Sequence, residues 1–355
     1  MTVLPPATEF GPDEDPPGVD LARLAAWLDA HHPDLRAGAL RAEIIAGGRS
    51  NLTYRLTDGT SDWALRRPPL GHVLPTAHDM GREFRVISGL RGTDVPVPGA
   101  VALCQDSEVL GQPFYLMDFV DGLVIDDPDL ISDPATARRT GELLVDTLLA
   151  LHRVDPEAVG LGDFGRPEGY LARQVARWHK QYLASGGSTD EANAEQDREA
   201  AVVAGLQRLL PESSSAGIVH GDYRLTNVLY SPDVSRIAAV VDWEMATLGD
   251  PLTDVGLLYV YHHLSGQTGA VMPDYSADRG YLGADDLVRR YADGSGLSVA
   301  QLEWYVAFGY FKLAVIAAGI NARYQQGLTV GAGFDRFAGL VQLTLAGALE
   351  TLERM

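Results

Sequence analysis

The sequence predicts an α+β protein, with a small antiparallel-sheet domain containing one helix followed by a larger, mainly helical domain. Three observations predict this fold class. Short runs rich in β-branched and aromatic residues follow residue 40. Longer segments with apolar residues at helical spacing dominate after Gly122. The 355 residues, 46% of them hydrophobic, suffice for one large or two medium domains.

The composition and charge of the chain indicate which kinds of binding partner and which cellular compartment to expect. With 28 Lys+Arg against 48 Asp+Glu, the net charge of −20 disfavours nucleic acid and anionic membrane surfaces as partners. Because Cys104 is the single cysteine, no disulfide forms within the chain. The first residues lack a signal-peptide pattern, and the most apolar stretch, 308–320, is interrupted by Lys312. We therefore expect a cytoplasmic protein with no nucleic-acid or membrane partner, and the sequence does not indicate its oligomeric state.

The first two predicted segments are an N-terminal arm with a helix, residues 1–40, and the small domain, residues 41–121. Asp20 is typical of a helix N-cap, and leucines at helical spacing follow it. In the small domain, Gly, Asp and Pro separate five strand-like runs, AEIIAGG, LTYRLTDG, DWALRRP, VPGAVALC and PFYLMDFV. One helix, running from about His78 to Leu90, is predicted among these strands.

The third segment, residues 122–355, is predicted to be mainly helical. Its apolar spacing indicates helices over about Pro134–Arg153, Gly169–Ala184, Asp190–Leu210, Ala284–Asp293, Val299–Gln325 and from Phe334 to the end. One β-rich island lies among them, IVHGDYRLTNVLY followed by IAAVVDWE. This island carries the polar residues on which the functional prediction depends.

The run HGDYRLTN and the downstream DWE suit phosphoryl transfer from a nucleotide. Asp222 precedes Asn227 by five positions, and Asp242 follows Asn227 by fifteen. Such a reaction needs one carboxylate to accept the proton of an acceptor hydroxyl, with an amide and a second carboxylate holding Mg²⁺ on the phosphates. Short strands on either side of the loop would bring Asn227 and Asp242 to one rim. The competing interpretation, a turn and a strand end held by buried hydrogen bonds, is disfavoured by two motifs in this order.

These two motifs resemble the signature pair of the aminoglycoside-phosphotransferase-like kinases, which are relatives of the protein kinases. The resemblance covers nearly the whole chain after residue 40. It is closest to the branch found fused to acyl-CoA dehydrogenase modules and often labelled as acyl-CoA dehydrogenase. It implies a protein-kinase-like two-lobe fold with ATP and Mg²⁺ as cofactors. It also implies that Asp222 is the catalytic base and that Asn227 and Asp242 are metal ligands.

In the small domain, the resemblance implies residues that bind the phosphates. The loop Gly47-Gly48-Arg49-Ser50-Asn51 joins two predicted strands, and Ser50 and Asn51 would contact the phosphates; a plain hairpin turn fits the loop equally well. Arg66, at the end of the run WALR, occupies the position of the strand lysine of protein kinases and keeps its charge. Glu83 in the following helix is its expected ion-pair partner. An exposed edge-strand Arg and a solvated helix-face Glu are the alternatives.

Two further stretches match the family. The run PFYLMDFVDG resembles the hinge between kinase lobes, where the backbone of Asp118, Phe119 and Val120 would bind adenine; a buried edge strand would have the same pattern. The run LGDPLTD contains Asp250 and Asp254, to which we assign structural work at a helix N-terminus and at the catalytic loop. We interpret His152 as a satisfied core histidine.

The predicted activity is ATP-dependent phosphorylation of a hydroxyl group on a small molecule. The branch resemblance points to a hydroxyacyl group or its coenzyme A thioester as acceptor. An aminoglycoside- or macrolide-type antibiotic kinase and a catalytically silent nucleotide-binding scaffold are the alternatives. Acceptor contacts are expected from helices of the large domain, namely Arg166–Leu183, Tyr259–His263 and Trp304–Arg323. The candidate anion contacts are Lys312, Arg323, Arg177 and Lys180. An apolar lining, which could equally be core, would come from Trp178, Tyr182, Trp304, Tyr305 and Phe308.

Overall fold

A computed structural model describes residues 15–45, 51–70, 79–185, 190–213, 215–267, 272–327 and 334–355. The chain forms two compact units. The first unit consists of Met1–Ile125 and Thr226–Ala246, and the second of Asp126–Leu225 and Thr247–Met355. This grouping places the segment Thr226–Ala246 with the small sheet, whereas the predicted boundaries at residues 40 and 121 assign it to the helical domain. The predicted boundaries themselves stay a prediction.

The first unit contains the predicted antiparallel sheet. Its strands are β1 (Arg41–Ile44), β2 (Leu52–Thr57), β3 (Asp62–Arg67), β4 (Ala100–Cys104) and β5 (Phe114–Asp118). They pair in the order β1-β2-β3-β5-β4, and every neighbouring pair is antiparallel. The strand-like runs of the sequence are therefore confirmed as one five-stranded sheet.

Helices cover this sheet and complete its core. The helix α1 (Leu21–His31) begins at Asp20, whose carboxylate accepts the backbone N–H of Arg23 at 2.9 Å, as predicted for an N-cap. Leu24 and Leu28 of α1 are buried in one hydrophobic core with side chains of the sheet. The sheet residues of this core include Tyr54, Leu56, Leu65, Phe114 and Leu116. The predicted second helix, α2, runs over Met80–Leu90 and begins at Asp79. A four-residue helix, α3 (Ser107–Leu110), follows β4.

The β-rich island forms two short ribbons, one in each unit. In the second unit, β6 (Gly217–Val219) pairs with β9 (Thr247–Gly249). In the first unit, β7 (Val228–Tyr230) pairs with β8 (Ile237–Val240). The predicted catalytic loop leaves β6 and continues into β7, and the DWE stretch follows β8.

The second unit is mainly helical, as predicted. Its helices are α4 (Pro134–Arg153), α5 (Tyr170–Ala184), α6 (Asp190–Arg208), α7 (Leu252–His263), α8 (Ala284–Ser295), α9 (Leu302–Gln325) and α10 (Phe337–Glu353). The sequence indicated a helix start near Asp250 but not the extent of α7, because ten of its twelve residues are buried and an all-round apolar helix has no amphipathic period.

The helix α9 forms the centre of the second unit. It is long and apolar enough to span a membrane by length and composition, which corrects the expectation that Lys312 interrupts every such stretch. In this unit, 67% of its most apolar window is buried, as is typical of a core helix. The predicted acceptor-lining residues Trp304, Tyr305 and Phe308 are fully or almost fully buried here, so they belong to the core.

Candidate active site

In the first unit, the predicted strand cation Arg66 lies between two carboxylates. Its Nε donates to Glu83 Oε2 at 2.7 Å, and its Nη2 donates to Asp242 Oδ1. The ion pair predicted between Arg66 and Glu83 is therefore present. Burial opposes the charge of Arg66, whose side chain is 11% exposed, but Glu83 and Asp242 outweigh burial and raise its pKa. The guanidinium is thus fixed in a charged and oriented state.

Glu83 is the central acceptor of this cluster. Besides Arg66, it accepts the side-chain amide of Asn51 at 2.9 Å and the hydroxyl of Tyr115 at 3.0 Å. Burial, with 1% of the side chain exposed, raises the pKa of Glu83, and the charge of Arg66 works against that rise. Hydrogen bonds from Arg66, Asn51 and Tyr115 therefore hold the Glu83 carboxylate in one orientation.

Asn51 joins Glu83 to the DWE stretch. Its Nδ2 also donates to Glu244 Oε2 at 3.1 Å. This amide group is already used by two carboxylates, whereas the sequence analysis assigned Asn51 to the phosphates. Ser50 and the glycines before it lie outside the described residues. Phosphate binding by this loop stays a prediction.

The two predicted metal ligands lie at one end of the ribbon β7–β8. The backbone N–H of Val241 donates to the carbonyl of Asn227 at 3.0 Å, which extends the ribbon beyond its last strand pair, Val228 with Val240. Asp242 follows with φ of +66°, a left-handed conformation that costs a non-glycine residue on the order of 1–3 kcal/mol. The turn thereby aims a 26% exposed carboxylate at Arg66.

The donor set at this end of the ribbon fits Mg²⁺. The amide oxygen of Asn227 and the carboxylate of Asp242 are hard oxygen donors, and Mg²⁺ in phosphoryl-transfer sites commonly takes one or two protein ligands and leaves the rest to phosphates and water. No group of three or more His, Cys, Asp and Glu side chains that could hold a metal is found among the described residues. A magnesium site in which Asn227 and Asp242 are the protein ligands, and the phosphates and water are the others, is consistent with that finding.

The predicted hinge segment partly differs from expectation. The N–H of Asp118 donates to the carbonyl of Gly99 at 2.8 Å, and that of Phe119 to Asp62 at 3.4 Å. Within the described residues, the sheet uses these two amides but not that of Val120. Adenine binding by this segment stays a prediction, with Val120 as its available donor.

In the second unit, Tyr261 and Arg224 contact the carboxylate of Asp222. Tyr261 of α7 donates its hydroxyl to Asp222 Oδ1 at 2.7 Å. Arg224 Nε lies 3.4 Å from Asp222 Oδ2, and its guanidinium lies 5.3 Å from the centre of the Tyr261 ring. With 17% of its side chain exposed, Asp222 is oriented yet reachable.

Asp254 fixes the backbone of the loop before Asp222. Its carboxylate accepts the N–H of His220 at 2.7 Å and of Gly221 at 2.8 Å. Burial alone would raise the pKa of Asp254, but His152, 3.3 Å away, and the backbone donors lower it. The other nitrogen of His152 bonds to the Tyr291 hydroxyl at 2.7 Å. The structural role predicted for Asp254 and the core position predicted for His152 are confirmed.

Asp250 has the second structural role that the sequence predicted. It accepts the N–H of Leu252 at 3.0 Å at the beginning of α7. The hydroxyls of Ser213 and Tyr305 also donate to it, each at 2.8 Å. Because Tyr305 lies on α9, Asp250 joins the start of α7 to the central helix.

The sequence analysis did not identify Tyr261 as a partner of Asp222. It grouped this tyrosine with a candidate acceptor helix, 259–263, but α7 has no periodic pattern that singles out one face. A signal existed in the family stretch LGDPLTD, since Asp254 and Tyr261 lie seven residues apart and seven residues make two helical turns.

The comparisons with known proteins identify the family. The model of the phosphotransferase enzyme family, APH, matches residues 41–292. The chain belongs to this phosphotransferase family. Acyl-CoA dehydrogenase family member 11 of Gallus gallus is 32% identical over 331 residues, which cover 91% of this chain and 42% of that protein. The predicted resemblance, including the relatives that carry the dehydrogenase name, is confirmed, and the chain spans less than half the length of the curated relatives it matches.

Solved structures give the same result for the fold. A Ralstonia eutropha protein with the provisional name aminoglycoside phosphotransferase is 32% identical, with a TM-score of 0.79 over 94% of this chain and 98% of that one. A complex of the aminoglycoside phosphotransferase APH(4)-Ia with AMP-PNP and hygromycin B has a TM-score of 0.62 over 92% of this chain and 98% of that one. At 16% identity, this second structure shows the fold alone. The predicted α+β, kinase-like fold is confirmed.

Proposed function

We propose that this phosphotransferase moves the γ-phosphoryl group of ATP to a hydroxyl group of a small molecule. The observation that carries the proposal is the position of Arg66 between the buried Glu83 and Asp242. A cation fixed by a helix carboxylate, next to a carboxylate suited to a metal, is the arrangement that nucleotide phosphates need. The complex of APH(4)-Ia with an ATP analogue supports ATP as the donor.

In this proposal the first unit binds the nucleotide. Asn227 and Asp242 would hold Mg²⁺, which would neutralise phosphate charge when bound. Arg66 would bridge phosphate oxygens with its planar guanidinium while Glu83, Asn51 and Tyr115 keep it in place. When the phosphates bind the guanidinium, they would replace Asp242 as its partner.

The second unit supplies the base. Asp222 would accept the proton of the acceptor hydroxyl as the oxygen attacks the γ-phosphorus. The hydroxyl of Tyr261 donates to Oδ1 and so orients the carboxylate that accepts the proton. Arg224, 3.4 Å from Oδ2 and 40% exposed, is placed to offset negative charge near the reacting hydroxyl.

The charges around Asp222 favour an acceptor that carries anionic groups. Within the second unit, Arg224 pairs with Asp222 and is 40% exposed, and Arg177 is exposed on α5, where it interacts electrostatically with the buried Lys312. A polycationic aminoglycoside would be repelled by the two exposed arginines, whereas a hydroxyacyl group with a carboxylate, or its coenzyme A thioester with phosphates, would be attracted to them. The relatives named acyl-CoA dehydrogenase support the acyl class.

The test is ATP consumption by the purified chain with a panel of acceptors. The panel contains hydroxy acids, hydroxyacyl-CoA thioesters, aminoglycosides and macrolides, and mass spectrometry detects the phosphorylated product. We expect hydroxyacyl compounds to stimulate ADP release with formation of a phosphate ester, and the variant Asp222→Asn to lose this activity about 10³-fold.

Two other outcomes would redirect the proposal. Phosphorylation of an aminoglycoside or macrolide in preference to the acyl compounds would make the chain an antibiotic kinase and overturn the acceptor class. Tight ATP binding without any phosphorylated product from the panel would support a catalytically silent scaffold and contradict the proposed transfer.

A further inference from the structure

Lysine is rare in this chain, and one of its two lysines is buried. Of the 28 basic residues, only Lys180 and Lys312 are lysines. Lys180 is exposed on α5, whereas Lys312 is 8% exposed in the middle of α9. Moving an ammonium group out of water costs on the order of several kcal/mol unless it gains hydrogen-bond or charge partners. The burial of Lys312 therefore implies that such partners surround it.

The packing of α7 against α9 places Lys312 near the catalytic loop. A Cβ atom on Gly256 would lie 2.3 Å from the carbonyl oxygen of Tyr305, and one on Gly309 would lie 2.9 Å from that of Gly256. The two glycines thus allow the helices to cross at close range. Lys312 follows Gly309 by three residues and so lies on the same face of α9.

The ammonium group bonds to the peptide that precedes the proposed base. Lys312 Nζ donates to the carbonyl oxygen of Gly221, the residue before Asp222. The N–H of the same peptide group, on Asp222, donates to His220 Nδ1 at 3.2 Å. The N–H of Gly221 itself donates to Asp254 at 2.8 Å. Consequently the peptide between Gly221 and Asp222 is bonded at both of its polar atoms.

Other groups around Lys312 are consistent with a charged side chain. Its Nζ lies 5.2 Å from the centre of the Trp178 ring, a favourable cation–π geometry. Burial lowers the pKa of Lys312 to about 8, while Asp222 and Asp254 oppose this shift and Arg177 adds to it. At neutral pH the side chain thus keeps its proton, and its hydrogen bond to Gly221 is charge-assisted.

We propose that Lys312 is a positioning residue for phosphoryl transfer, which holds the Gly221–Asp222 peptide so that the Asp222 carboxylate points at the acceptor hydroxyl. The inference rests on the proposed function for its kinetic consequence. Gly221 has φ of +86°, a left-handed conformation that favours glycine. Because glycine has no side chain to limit its backbone angles, the bond at its carbonyl oxygen supplies a restraint that the residue itself does not. A small rotation there would move the carboxylate away from its productive position.

The first experiment compares Lys312→Met with Lys180→Met in the full chain. Amide hydrogen exchange across residues 217–226 is measured in both variants. We expect exchange at Gly221 and Asp222 to accelerate about tenfold in the first variant and to stay at the wild-type rate in the second. Unchanged exchange in Lys312→Met would overturn the proposal, and this readout does not depend on the chain being a kinase.

The second experiment measures kinetics, with water as the acceptor until a better one is known. We expect kcat for ATP turnover to fall about 30-fold in Lys312→Met, with KM for ATP within about twofold of wild type. Lys312→Arg, which keeps the charge, should recover part of kcat. If Lys312→Met does not fold, Lys312→Arg alone tests the proposal. We expect its kcat to be about threefold below that of the wild type, with the KM for ATP unchanged. A wild-type kcat in Lys312→Arg would then contradict the proposal.

A double variant separates positioning from a general loss of stability. If Lys312 acts through Asp222, adding Lys312→Met to Asp222→Asn should lower the residual rate by less than about twofold. An additional loss as large as in the wild-type background would contradict the inference. Absence of any ATP turnover in the wild type would instead be a failure of the proposed function, and the exchange measurement would then decide the role of Lys312 by itself.

Discussion

The candidate functional residues of the two units are held in place by different kinds of contact. In the first unit, Arg66 is fixed by charged side chains, Glu83 and Asp242. In the second unit, the loop that carries Asp222 is fixed through its backbone, by Asp254 on two amides and by Lys312 on a carbonyl. The contacts in the first unit keep Arg66 charged and oriented, and those in the second unit fix the backbone conformation of the loop before Asp222.

This difference predicts different losses when the contacts are removed. Taking away a member of the charge cluster leaves buried charge uncompensated, so nucleotide affinity should suffer. Removal of a group that supports the Asp222 loop leaves the nucleotide site in the first unit unchanged, and the loss should then be in kcat. The following substitutions test this distinction.

The largest effect is expected for Arg66→Met. The substitution removes the cation and leaves Glu83 and Asp242 side by side without it, so KM for ATP should rise about 100-fold. Steady-state kinetics with varied ATP measure this. Arg55→Met on the neighbouring strand β2 is the control, because Arg55 pairs with Asp62 at an exposed position. An unchanged KM in the Arg66 variant would contradict the role of the charge cluster.

A smaller effect, in the other kinetic constant, is expected for Tyr261→Phe. The variant loses the hydroxyl that donates to Asp222 at 2.7 Å, so kcat should fall about tenfold while KM for ATP stays constant. Tyr259→Phe, two residues earlier on α7, removes a hydroxyl that interacts with Asp285 instead and serves as the control. Equal kinetics for the two variants would show that Tyr261 does not orient the base.

The smallest effect concerns His262, a histidine of the second unit that is buried and makes no ion pair among the described residues. Burial lowers the pKa of His262 from 6.5 to about 4, and its Nδ1 has no hydrogen-bond partner among the described residues. Between these two values the unfolded chain binds a proton that the folded chain does not, so stability falls as the pH is lowered through this window. From about pH 7 to pH 5.5 this group should cost about 1 kcal/mol.

The measurement is urea unfolding of the wild type and of His262→Gln at both pH values. The variant should lose less unfolding free energy on acidification than the wild type does. His263→Gln, which changes the exposed neighbour, is the matched control. If His262→Gln and the wild type lose the same free energy, His262 is not buried as a neutral group.

The comparison also explains which parts of the site could be predicted from the sequence. Asn227 and Asp242 lie in short motifs next to strand patterns, where local spacing determines the position of each side chain. The sheet was predictable for the same reason, because its runs alternate with Gly, Asp and Pro. Arg66 and Glu83 followed from the resemblance to kinases, which implies a strand cation paired with a helix carboxylate.

The support of the Asp222 loop could not be predicted in this way. Lys312 lies ninety-one residues after Gly221, and nothing in the surrounding apolar run indicates that its ammonium group would reach that carbonyl. Tyr261 lies on a helix that is buried on nearly every side, so periodicity gives it no orientation. Such contacts depend on how the helices cross, which a single sequence does not specify.

The most direct test of the central claim is calorimetric titration of MgATP into two variants, alongside their turnover. The account predicts that Asp222→Asn binds MgATP within about twofold of wild type while its turnover is lost. It also predicts that Asp242→Asn loses the part of the affinity that depends on Mg²⁺. Turnover at the wild-type rate in Asp222→Asn, or Mg²⁺-dependent affinity unchanged in Asp242→Asn, would contradict the division of roles between the two units.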